Sequence, residues 1–195
     1  DNNVQSTQDK ELKLIYVSLG TIFHSNTYIF EEIIKSIRTY NDKPNRKMKS
    51  SQFRVVISTG EKSLETLNKK ISEGKLIMPD NILLRAEVPQ LEILKRAHLF
   101  ITHSGMNSTS ETIMYAVPVV SIPLEADQHL NGKRMCDELK LGVRLDALKL
   151  NADLIADAID QVLSDEKYTK NIQEMSAISA KYNGSVEGAK IITDF

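Results

Sequence analysis

The sequence predicts an α/β fold built on a mainly parallel, doubly wound sheet flanked by helices. Three observations carry that prediction. Short runs dense in Val, Ile and Leu recur along the chain, notably Leu14–Leu19, Phe53–Ser58 and Val117–Ile122; runs of this kind suit strands buried on both faces. Segments with helical spacing of apolar residues separate them. Three of the strands also run into turns rich in Ser, Gly, Thr, His or Asp, as expected where the C-terminal edge of a sheet binds a ligand.

The elements follow in order. Leu14–Leu19 is a first strand that stops at Gly20-Thr21, and Tyr28–Tyr40 is a helix with Ile29, Phe30, Ile33, Ile34 and Ile37 on one face. Asn41–Ser51 is polar and basic and contains Pro44, which predicts a mobile loop. Phe53–Ser58 is the second strand, Lys62–Ser72 a polar helix and Ile82–Arg85 a third strand. Pro89–Ala97 makes a brief helical turn before a fourth strand at His98–Thr102. Asn107–Ala116 reads as a helix and Val117–Ile122 as a buried fifth strand. Gln128–Leu139 is a helix closed by Gly142, ahead of a sixth strand at Val143–Leu145. Asn151 is placed to cap a helix whose face is Leu154, Ile155, Ala158, Ile159, Val162 and Leu163. Asp165–Tyr182 and Ser185–Thr193 are helices. Residues 1–11 read as a polar linker and 12–195 as one Rossmann-like domain.

Composition narrows the function classes. The 195 residues are 41% hydrophobic and 26% charged, as in a globular protein able to bury a core. A net charge of −1, with the signs mixed along the chain, argues against nucleic-acid or membrane binding driven by bulk charge. Cys136 is the single cysteine, so no internal disulfide is expected and a reducing, cytoplasmic setting is indicated. No apolar run approaches the roughly 18–20 residues that cross a bilayer. The chain opens on polar residues without an initiator methionine, which suggests a processed or excised chain.

The strongest local signal is Leu99–Ser108, where an apolar run meets His103-Ser104-Gly105 and passes into a helix. The first N–H groups of a helix lack internal partners and carry partial positive charge, so a phosphate or diphosphate is the natural guest. Ser18-Leu19-Gly20-Thr21 and Asp127-Gln128 end two other strands in similar fashion. Glu111 has two readings. It suits a ribose, or it closes an S-x-x-E capping box with Ser108. The sequons at Asn107 and Asn183 are expected to be unmodified. There is no G-x-G-x-x-G, Walker loop or H-E-x-x-H, and no Asp-x-Asp pair ends a strand. Any diphosphate would then be neutralised by N–H groups and His103 without a metal.

Val88-Pro89-Gln90, Thr102–Ser108, Glu111, Val117-Pro118, Pro123 and Asp127-Gln128 together resemble the donor-binding signature of UDP-glycosyltransferases. The gap between Pro-Gln and the histidine is that of the bacterial macrolide-glycosyltransferase type, and Val17–Phe23 is similar to that group's first-strand loop. The resemblance runs from about Leu14 to Asn131. It implies the C-terminal half of a GT-B fold. It also implies that Val88 and Gln90 meet base and ribose, and that Glu111 bonds the ribose hydroxyls. His103, Gly105, Asn107 and Ser108 would hold the diphosphate, helped by Ser18 and Thr21, while Asp127 and Gln128 would bond the hexose. Glu87 stands where the family usually carries an aromatic residue that stacks on uracil, and Glu125 stands where plant relatives carry a Trp. The Glu87 departure leaves a dTDP-sugar as a second donor beside UDP-glucose.

The implied reaction is a metal-independent, inverting transfer of a hexose to a hydroxyl of a small lipophilic acceptor. No cofactor is implied beyond the donor itself. The general base would come from an N-terminal acceptor domain of the same or a partner chain, so no catalytic residue is expected here. Two alternatives are a separately encoded donor subunit of a two-chain N-acetylglucosaminyltransferase and a non-catalytic nucleotide-sugar-binding module.

Overall fold

Six strands lie side by side in the order β3-β2-β1-β4-β5-β6, every neighbouring pair parallel. They are β1 (Lys13–Ser18), β2 (Phe53–Ser58), β3 (Ile82–Arg85), β4 (Leu99–Thr102), β5 (Val119–Ser121) and β6 (Gly142–Arg144). The structure, a computed structural model, describes residues 12–20, 27–182 and 184–194. The helices are α1 (Thr27–Arg38), α2 (Glu61–Ser72), α3 (Gln90–Leu94), α4 (Met106–Met114), α5 (Gln128–Gly132), α6 (Ala152–Ser164), α7 (Glu166–Ser179) and α8 (Gly184–Thr193). None of the described helices is long and apolar enough to cross a membrane.

The two-residue period of a strand sends alternate side chains to opposite faces. Ile15, Val17, Ile101 and Val120 join one apolar layer with Ile29, Ile33 and Ile37 of α1 and Ile155 and Ile159 of α6. Tyr16, Phe100 and Val119 join a second layer with Leu94, Met135, Cys136 and Ile172. Both faces are therefore covered, which is why these strands read as unbroken apolar runs.

Two sequence expectations change. The 128–139 segment is α5 followed by π-helical turns over Lys133–Glu138, where Leu139 N–H reaches Arg134 O at 2.9 Å. The 41–51 loop, expected to be mobile, is pinned to α6. Arg46, 5% exposed in its side chain, lies over the Tyr40 ring and donates to Asp157 Oδ1 at 3.0 Å. Tyr40 Oη donates to Asp160 Oδ1 at 2.8 Å, and the same oxygen accepts the Lys47 and Met48 amides. A polar sequence disclosed the loop but not the carboxylates waiting on α6.

Candidate functional site

At the centre of the sheet the order reverses between β1 and β4. The helix that follows β1, α1, packs on one face and the helix that follows β4, α4, on the other, the arrangement that leaves a crevice at the strand ends. A cleft of about 500 Å³ opens there, lined by Ser18, Gly20, Gln90, His103, Gly105, Met106, Asn107, Ser108, Glu111, Ala126, Asp127 and Gln128.

His103 follows β4 directly and its ring is sandwiched by glycines. A Cβ on Gly20 would stand 2.7 Å from the ring, and one on Gly105 would stand 2.5 Å from Nε2. Gly20 also has φ +81, which disfavours any side chain. Burial pushes the His103 pKa below its ordinary value, and the Asp127 carboxylate partly opposes that shift. The imidazole of the free protein is therefore neutral at pH 7.

Ser104 takes φ +64, and this turns the chain from strand into helix. Its amide donates to Thr102 Oγ1 at 3.2 Å, and its hydroxyl lies 2.6 Å from that of Ser121 at the end of β5. The first bond tightens the turn at the end of β4, and the second ties the β4 and β5 ends together. Gly105 is the N-cap of α4, with no side chain capping the turn, and Thr109 N–H is the first amide to close back on Gly105 O. The amides of Met106, Asn107 and Ser108 therefore stand without an intrahelical partner at the positive end of the helix.

The two readings of Glu111 separate here. Ser108 lies inside α4 rather than at its cap, so no capping box forms. Glu111 Oε2 instead accepts a bond from Gln90 Nε2, while Gln90 Oε1 accepts the Tyr16 hydroxyl at 3.0 Å. On the other side of the cleft, Ala126 takes φ +54 before Asp127. Asn131 Nδ2 donates to Asp127 Oδ2 at 2.8 Å and to Ser104 O at 3.1 Å, locking the β5–α5 turn to the β4–α4 turn. Gln128 is 3% exposed, and its Oε1 accepts the Leu124 and Glu125 amides. That oxygen shapes the turn, and Gln128 lines the cleft.

Of the remaining expected residues, Thr21 falls outside the described residues. Glu87 is exposed and Val88 packs on the second apolar layer, and neither lines the cleft. Among the described residues no group of three or more His, Cys, Asp or Glu is placed to hold a metal ion.

The family model described as "UDP-glucoronosyl and UDP-glucosyl transferase" matches residues 69–182, more than half of the chain and most of the cleft wall. The chain belongs to this family. It is 34% identical over 169 residues to a protein named "Uncharacterized UDP-glucosyltransferase YdhE" from Bacillus subtilis, covering 87% of this chain and 38% of that protein. Among solved structures it is similar to the glycotransferase of kitacinnamycin, with a TM-score of 0.76 at 22% identity over 98% of this chain and 46% of the other. It is also similar to Os79 from O. sativa, solved in complex with UDP, with a TM-score of 0.67 at 25% identity over 84% of this chain and 35% of the other. The chain thus spans less than half the length of these relatives.

Within this glycosyltransferase domain, Ala126 lines the cleft together with Gly20 and Met106 of the turns that the sequence singled out. Sequence reasoning missed Tyr16 and Asn131, which brace the cleft from behind. Asp127 and Asn131 are four apart, a helical spacing that offered a signal. The Tyr16–Gln90 bond spans 74 positions and offered none.

Proposed function

We propose that residues 12–195 form the donor-binding domain of an inverting, metal-independent UDP-glycosyltransferase, with 1–11 as its linker. One observation carries this reading. A single cleft sets His103 and the open first turn of α4 between two carboxylates, Glu111 on one side and Asp127 on the other. A nucleoside diphosphate sugar has that same sequence of groups: diols of a ribose, a diphosphate, and hydroxyls of a hexose. The name of the Bacillus relative and the UDP in the Os79 complex support a UDP-sugar, with UDP-glucose the first donor to try.

The domain's chemical task is to stabilise the leaving group. As the anomeric bond breaks, charge grows on the diphosphate, and fixed N–H groups and His103 meet it without reorganising. The acceptor hydroxyl loses its proton to a general base. That base, and most of the pocket for a small lipophilic acceptor, belong to an N-terminal domain beyond these residues. A cytoplasmic setting fits the single, buried Cys136.

Calorimetric titration with UDP tests the reading. The chain is expected to bind UDP, and His103→Ala to weaken binding by at least ~1 kcal/mol, about the worth of one charge-assisted hydrogen bond. Absence of binding to UDP and dTDP at millimolar concentration overturns it.

A further inference from the structure

Behind the Glu111 side of the cleft lies a hydrogen-bonded chain with a direction. Tyr16 is 1% exposed, its ring stacked on Phe100 at 4.8 Å and 17°. Burial raises its pKa, so its hydroxyl keeps its proton. The proton goes to Gln90 Oε1. With that oxygen occupied, Nε2 of Gln90 points at Glu111, whose carboxylate can only accept. An amide free to rotate would present its oxygen to the carboxylate part of the time and push it away. Tyr16 removes that freedom.

We infer that Tyr16 is a positioning residue that fixes, through Gln90, the Glu111 carboxylate against the ribose 2′- and 3′-hydroxyls. It thereby sets the preference for a ribonucleotide over a 2′-deoxyribonucleotide donor. The inference rests on the proposed donor site. It goes further in assigning a nucleotide choice to a residue that does not line the cleft. A carboxylate held in one place gains most from a diol and loses a bond when the 2′-hydroxyl is missing. A carboxylate that swings adapts to either sugar.

The test is the ratio of UDP to 2′-deoxy-UDP affinity, measured on the chain by calorimetry. The wild type is expected to favour UDP by about tenfold, the worth of one hydrogen bond to a charged group. Tyr16→Phe keeps the ring and its stack and is expected to narrow the ratio at least threefold. Gln90→Leu should narrow it as well, and adding Tyr16→Phe to that variant should narrow it no further, because the two act through one chain. Equal loss of both affinities in Tyr16→Phe, with the ratio unchanged, means a purely structural role and overturns the inference while leaving the donor site standing. Independent, additive effects in the double variant overturn it too. Failure of the wild type to bind UDP removes the donor site itself, so the two failures are distinguishable.

Discussion

His103 shows how a residue's surroundings decide its chemistry. Two glycines make room for the ring, and the protein packed around it holds its pKa below the ordinary 6.5 of histidine. In the unfolded chain that pKa is restored. Below about pH 6.5 the unfolded state therefore takes up a proton that the folded state refuses, and stability must fall. The His103 contribution is complete above the unfolded pKa and is lost as pH drops towards the depressed folded value. Denaturant unfolding between pH 7.5 and 5 should show wild type losing stability more steeply than His103→Gln, and matching slopes would contradict the assignment. Cys136 follows the same logic with a different outcome. Burial pushes its thiol up to about 12, so it stays protonated at neutral pH.

Among the elements, α6 shows what a sequence discloses about a helix and what it does not. Its apolar stripe and its N-cap were legible, and Asn151 Oδ1 accepts the Leu154 amide at 3.0 Å. A second cap was invisible. Glu32 of α1 accepts the Ala152 amide at 2.9 Å, a bond between residues 120 positions apart. Asn151→Ala should cost about 1 kcal/mol, the usual worth of an N-cap, read as a shift in the chemical denaturation midpoint without change of slope. A loss near zero would show Glu32 able to serve the helix end alone. The π-helical turns after α5 were read as plain helix because their register comes from packing, with Met135 and Cys136 drawn into the second apolar layer. No spacing rule marks that change of register.

Across the whole molecule, the proposed donor site would couple ligand binding to folding at the C-terminal ends of the strands. A ligand that binds only the folded state stabilises it by mass action, about 2.7 kcal/mol at a hundredfold excess over Kd. UDP at that concentration should raise the thermal midpoint by roughly 5–10 °C for a chain of this size, with the shift reduced in His103→Ala; an unmoved midpoint would count against the donor site. By itself the sequence determined the strand and helix order, the doubly wound class and the His103–Ser108 turn. It could do so because apolar periodicity and turn chemistry are local properties. Its resemblance to the donor-binding signature of UDP-glycosyltransferases also brought Glu111, Asp127 and Gln90 into consideration. Only the tertiary structure decided what those residues touch. It denied Glu111 a capping role, turned the Gln128 oxygen to the backbone and placed Glu87 outside the cleft lining. It also set Tyr16 behind Gln90 and Asn131 across two loops. The physical reason is that parallel strands bring together residues far apart in the chain, and a hydrogen bond depends on position in space and not on sequence separation.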